Sequence, residues 1–214
     1  MIIGVTGSFG SGKTTVANMF RKYGFRVINV DKLYKGIYNK NNSLKNKIKK
    51  EFGTLDRNKI KKIVFNNSNK LKKLNNITHP IIINSIKKEI GTIVNKYNKK
   101  NSIFKKTNKK TNKNKKNIGI KNNVKIIIDA PLLIEARARS LVNKLIVVKS
   151  NKQNQISRAL KKGKYTKKEI NNIIKSQMSL KEKIKYADFV VDNDKSIKNT
   201  GMQVKILANI LQKP

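Results

Sequence analysis

The chain has 214 residues and a formal charge of +40, from 51 Lys or Arg against 11 Asp or Glu, with no cysteine. The missing cysteine excludes disulfides and Cys-ligated metal sites, and no run reaches the roughly 18 apolar residues of a membrane span. The length suits one α/β domain with a small appendage, and with no visible targeting segment before the first strand the expectation is a soluble, cytoplasmic protein.

Residues 2–6 read as a hydrophobic strand that runs directly into Gly7-Ser8-Phe9-Gly10-Ser11-Gly12-Lys13-Thr14-Thr15, the pattern G-x-x-x-x-G-K-T. Its glycines let successive backbone N–H groups face phosphate oxygens, and a helix predicted over 13–23 adds the positive end of its dipole. Lys13 is expected on the β/γ-phosphates and the Thr14 hydroxyl on Mg²⁺, which predicts ATP and Mg²⁺ as ligands. A second strand over 25–30 ends at Asp31, at the sheet edge where open α/β folds bind ligands. A carboxylate there could take a proton from an attacking hydroxyl, hold Mg²⁺ through water, or cap the next helix.

Residues 32–52 and 57–89 read as helical, with Leu71, Leu74, Ile77, Ile81, Ile82 and Ile86 as apolar stripes and Pro80 starting a new helix after Thr78-His79. For His79, the only histidine, a helix-start or packing role is expected from the local pattern. Residues 95–125 hold twelve lysines and nine asparagines, and 98–117 carry almost nothing to bury, which predicts a disordered surface insertion. Only Arg21, Arg26, Arg57, Arg137, Arg139 and Arg158 are arginines; the abundant Lys, Asn and Ile point to A/T-rich codon drift on solvated surfaces. So large a field still predicts weak, non-specific affinity for polyanions.

Residues 124–128 form a continuous apolar strand ending at Asp129, in the manner of a Walker-B metal-site acid, and 144–148 form another strand. Continuous β-branched runs between helices imply a parallel sheet covered on both faces. Beyond it, Arg158 sits in a basic helix-to-loop segment that reads as a mobile lid over migrating charge or as an ordinary solvated face. The last third is helical except for a short strand at 189–191, and a final helix is predicted over 202–211.

Taken together, VTGSFGSGKTTVANMF, VINVD, FGTLDR, LNNITHPII, IIIDAPLLIEARA, QISRALKKG and SQMSLKEKIKYADFVVDND resemble the dephospho-coenzyme A kinase family, in order and over nearly the whole chain apart from the Lys/Asn-rich stretch. The resemblance implies a three-layer α/β/α P-loop kinase with a five-stranded parallel sheet, a helical substrate subdomain over about 32–91 and a lid over about 155–168. It implies transfer of the ATP γ-phosphoryl to the ribose 3′-hydroxyl of dephospho-coenzyme A, with Asp31, Lys13 and Arg158 as catalytic groups. Carried over residue by residue, 7–15, Arg158 and Asn193 would bind the nucleotide, Asn193 in the segment passing the adenine. Asp31, His79, Pro131, Leu132, Leu133 and Glu135 would face the acceptor, and Thr14 and Asp129 the metal.

Three departures stand out. Asn29-Val30-Asp31 replaces the family's Asp-Ala-Asp; Lys162 replaces a second lid arginine and loses its planar fork; and several residues are missing between Gly53 and Leu55. Two other readings compete: another small P-loop nucleotide or nucleoside kinase, which has no use for PLL-E or ADFVVDN, and a basic nucleic-acid-binding protein with a vestigial P-loop, against which the intact Lys13-Thr14 and Asp31 argue.

Overall fold

The computed structural model describes residues 1–108 and 124–212. Five strands, β1 (Ile2–Thr6), β2 (Arg26–Asn29), β3 (Ile126–Asp129), β4 (Lys144–Lys149) and β5 (Phe189–Asp192), form one parallel sheet in the order β2-β3-β1-β4-β5. The central strands are buried on both faces, which is why they read as unbroken apolar runs.

Strand alternation sends Ile3, Val5, Ile127, Ile146, Val148 and Val191 to one face, where α1 (Lys13–Met19) and α9 (Ile197–Ile210) cover them with Val16, Ala17, Val204 and Leu207. Ile28, Ile126, Ile128 and Leu145 take the other face, against Ile86 of α5 (Ser68–Asn108) and the turns at 131–137. A third core belongs to the appendage: α2 (Val30–Lys40), α3 (Asn42–Phe52), α4 (Arg57–Asn66) and the first part of α5 enclose Tyr38, Leu44, Ile48, Phe52, Ile60 and Val64. The remaining helices, α6 (Lys152–Leu160), α7 (Lys167–Lys175) and α8 (Leu180–Ile184), fill the stretch between β4 and β5.

Side-chain caps mark most of these helix starts: Asn29, Asn41, Asp56, Asn151, Ser179 and Ser196 each accept a backbone N–H, and Thr166 forms a capping box with Glu169. The cap at Asn41 divides the single helix expected over 32–52 into α2 and α3.

Pro80 does not start a helix. It lies inside α5, and the carbonyl it deprives of a partner, that of Asn76, belongs to an exposed residue that water can serve. Nor is 95–108 without structure: α5 continues through Asn108, since an already nucleated helix is extended by lysines at little cost. The remainder of the expected insertion, 109–123, lies outside the described residues.

Candidate active site

Three chain segments converge at the carboxyl edge of β2, β3 and β1. Pairing sets Asn29 beside Asp129 and Asp129 beside Val5, so the acid of β3 stands between the start of α2 and the loop that follows β1.

That loop folds tightly: the Ser11 N–H donates to the Ser8 carbonyl at 3.1 Å, and Val16 N–H to the Gly12 carbonyl at 3.1 Å opens α1. Gly10 and Gly12 adopt φ of 78° and 88°, and a Cβ would run into the Gln155 carbonyl at the first and the Asn193 side-chain amide at the second. Both positions therefore demand glycine by backbone conformation and by space.

Lys13 is half-buried, and burial lowers its pKa; Asp31 and Asp129 pull in the opposite direction, while Lys162 and Lys183 depress it further. Burial likewise pushes the Asp129 carboxyl up, opposed by the Thr14 hydroxyl, by Lys13 and by the Asn29 amide, which donates to Asp129 Oδ2 at 2.6 Å. Asp129 is 2% exposed and its Oδ1 has no hydrogen-bond partner. Asp31 is exposed in the first turn of α2 and is not the helix cap: Asn29 holds that place, accepting the Lys32 N–H at 2.8 Å.

Arg158 lies against the glycine loop. Its guanidinium donates to the Asn193 carbonyl at 2.6 Å, to Ser150 Oγ at 3.1 Å and to the Ser11 carbonyl at 3.5 Å, on a helix whose Gln155 and Ala159 are buried. It fastens the ends of β4 and β5 to the loop, and the charge of Lys162, four residues on, reaches Lys13.

Asn193 is 5% exposed and supports the loop from beneath: its amide donates to the Ser11 carbonyl at 2.8 Å and its carbonyl accepts from Thr200 at 2.8 Å. Leu133 is a core residue, 2% exposed. Pro131 and Leu132 are half-buried, and the Pro131 carbonyl accepts from Thr6 at 3.1 Å and from Lys183 at 2.9 Å.

Glu135 pairs with the fully buried Lys183 at 2.7 Å, and burial lowers the His79 pKa against the pull of the Glu135 charge. His79 is thus half-buried inside α5 and takes no part in starting a helix. The Phe9 N–H, expected on phosphate, instead donates to Gln177 Oε1 at 2.9 Å. Asn29, Ser150, Gln155, Gln177 and Lys183 carry parts of the site that sequence reasoning did not assign; for Asn29 the usable signal was its place three residues before Lys32 at a strand end, the spacing of a cap.

The sequence model of the family described as dephospho-CoA kinase matches residues 1–107 and 101–199. A dephospho-CoA kinase of Fusobacterium nucleatum is 35% identical over 212 residues, covering 96% of this chain and 95% of the relative. Among solved structures, TT1252 from Thermus thermophilus matches with a TM-score of 0.71 at 24% identity, over 100% of this chain and 98% of that one. A dephospho-CoA kinase from Campylobacter jejuni matches with a TM-score of 0.60, also at 24% identity, over 99% and 96%. With the family model spanning most of its length and a relative above 30% identity end to end, the chain belongs to the dephospho-CoA kinase family.

Proposed function

We propose the following division of labour for the reaction of this family, transfer of the ATP γ-phosphoryl to the ribose 3′-hydroxyl of dephospho-CoA to give coenzyme A and ADP. Backbone N–H groups of the 7–15 loop, apart from those of Phe9 and Ser11 that bond within the protein, hold the donor phosphates, and Lys13 sets its ammonium against the β/γ-oxygens. Asp31, exposed and relieved of capping by Asn29, accepts the proton of the attacking hydroxyl. Lys162 supplies lid charge and Arg158 keeps the loop in place.

Thr14 and Asp129 would hold Mg²⁺. The ion takes oxygen ligands and retains several waters, which suits one hydroxyl and one buried carboxylate with an unpartnered oxygen. When bound, Mg²⁺ neutralises charge on the donor phosphates. Helices α2 to α5 serve as the acceptor subdomain, His79 and Glu135 lie on its side of the sheet edge, and 155–168 act as the lid. Among the described residues no helix is long and apolar enough to cross a membrane, and a cytoplasmic location is the part of this reading that cell fractionation checks.

The observation that carries the reading is the convergence of Lys13 with Asp31 and Asp129 beside a glycine-built loop. A coupled assay with ATP, Mg²⁺ and dephospho-CoA tests it. Lys13→Ala should lose both ATP binding and turnover, whereas Asp31→Asn should keep binding and lower kcat by about 10² or more. A near-normal kcat for Asp31→Asn removes that carboxylate from the mechanism.

A further inference from the structure

The tip of the glycine loop is gripped from both ends of α7. Its Phe9 ring packs edge-on against Tyr165, which precedes α7, with centroids 5.4 Å apart at 87°, and the Phe9 N–H donates to the side-chain carbonyl of Gln177, which follows it. Tyr165 is held in turn by Lys61 of α4, whose ammonium reaches the phenol oxygen at 3.2 Å.

The residue after Gln177 reaches the other side of the site. The Met178 N–H donates to Glu135 Oε1 at 3.2 Å, and the same oxygen accepts from Lys183, which also binds the Pro131 carbonyl. That carbonyl accepts from Thr6, at the end of the strand that feeds the loop. A closed circuit therefore runs from the loop tip through Gln177 and Met178 to the 131–137 turns and back to the loop's root.

We propose that Gln177 is a positioning residue for phosphoryl transfer: its side-chain carbonyl fixes the tip of the phosphate-binding loop, and through Met178 the same short segment registers that loop against the Glu135 turn on the acceptor side. The physical basis is orientation. A loop whose N–H groups must point inward together tolerates little rotation of any one peptide, and small misplacements of reacting groups cost large factors in rate. A Phe9 N–H released from Gln177 is free to rotate with its peptide, which disturbs the adjoining N–H group of Gly10. The inference rests on reading residues 7–15 as the donor-phosphate cradle.

The test uses the full chain and titrates a non-hydrolysable ATP analogue with Mg²⁺ by calorimetry into wild type, Lys13→Ala, Gln177→Met and Gln177→Glu. Met preserves length without an acceptor, Glu preserves the acceptor, and 0.3 M salt screens the charge that Glu adds. Gln177→Met should weaken binding about tenfold, the scale of one lost hydrogen bond, and lower kcat, with the KM for dephospho-CoA within about twofold of wild type. Gln177→Glu should recover binding to within about threefold. Wild-type binding by Gln177→Met, or no recovery in Gln177→Glu, overturns the proposal while the cradle reading stands, provided Lys13→Ala loses the analogue. Wild-type binding by Lys13→Ala overturns both.

Discussion

Asn29 does two jobs with one side chain, and they can be separated by substitution. Its carbonyl caps α2 through the Lys32 N–H, and its amide donates to the buried Asp129 carboxylate at 2.6 Å. Asn29→Ser keeps a capping oxygen but is too short to reach Asp129, so it isolates the second bond. A hydrogen bond to a charged group contributes about 1.5–3 kcal/mol, and Asp129 at 2% exposure receives little compensation from water. Asn29→Ala loses the cap as well, a further cost of about 1 kcal/mol. Urea unfolding at pH 7 should therefore order the proteins wild type, Ser, Ala, with unchanged m-values, and a domain stable by about 5–15 kcal/mol stays folded throughout. In an Asp129→Ala background the Ser substitution should cost much less, because the two residues share one bond. The reasoning is refuted if Asn29→Ser matches wild type within about 0.5 kcal/mol, or if Ser and Ala cannot be distinguished.

Asp129 itself should behave in the opposite sense. Burial raises its pKa, so the folded chain binds its proton more tightly than the unfolded one; that contribution to stability is full below the ordinary carboxylate pKa of about 3.9 and is lost as pH rises through the folded value. Asp129→Asn should accordingly raise the thermal midpoint at pH 7, with the gain shrinking toward pH 4, while Mg²⁺-dependent turnover falls; a midpoint gain independent of pH contradicts the assignment. Arg137 sits at φ 53°, a conformation that costs a non-glycine residue about 1 kcal/mol, so Arg137→Gly should raise stability by up to that amount in the same urea experiment. Arg158→Ala should lower both the thermal midpoint and kcat, whereas Lys162→Ala should lower kcat about tenfold or more at an unchanged midpoint. The reverse pattern would return Arg158 to the role of the phosphate-facing cation.

The parts of this molecule legible in its sequence are those whose signals are local. Gly7 through Thr15 carry their chemistry in adjacent residues, and the apolar runs read at 124–128 and 144–148 need no partner to be recognised as buried strands. Pro80 was misleading because proline favours the first turn of a helix, and only the exposure of Asn76 explains why this helix tolerates it inside. Leu133 sits inside a motif that contains acceptor-side candidates, yet core packing decides its orientation. Asn193 and Gln177 find their partners 182 and 168 residues away, so nothing near them in the chain reports that they hold the phosphate loop. Arg158 showed its charge but not the three acceptors that use it.

Helix α5 passes through two cores in succession. Leu71, Leu74, Ile77 and Ile81 pack into the appendage, while Ile82, Ile83, Ile86, Ile90 and Ile93 pack under the sheet. Mechanically it is a rod seated in two bearings, and Pro80 stands where one bearing gives way to the other. A rod bends where its internal bracing is thinnest, and here one brace, the bond to the Asn76 carbonyl, is missing. Any bend between the appendage and the sheet would thus be concentrated at that joint, with the packed segments on either side moving as units.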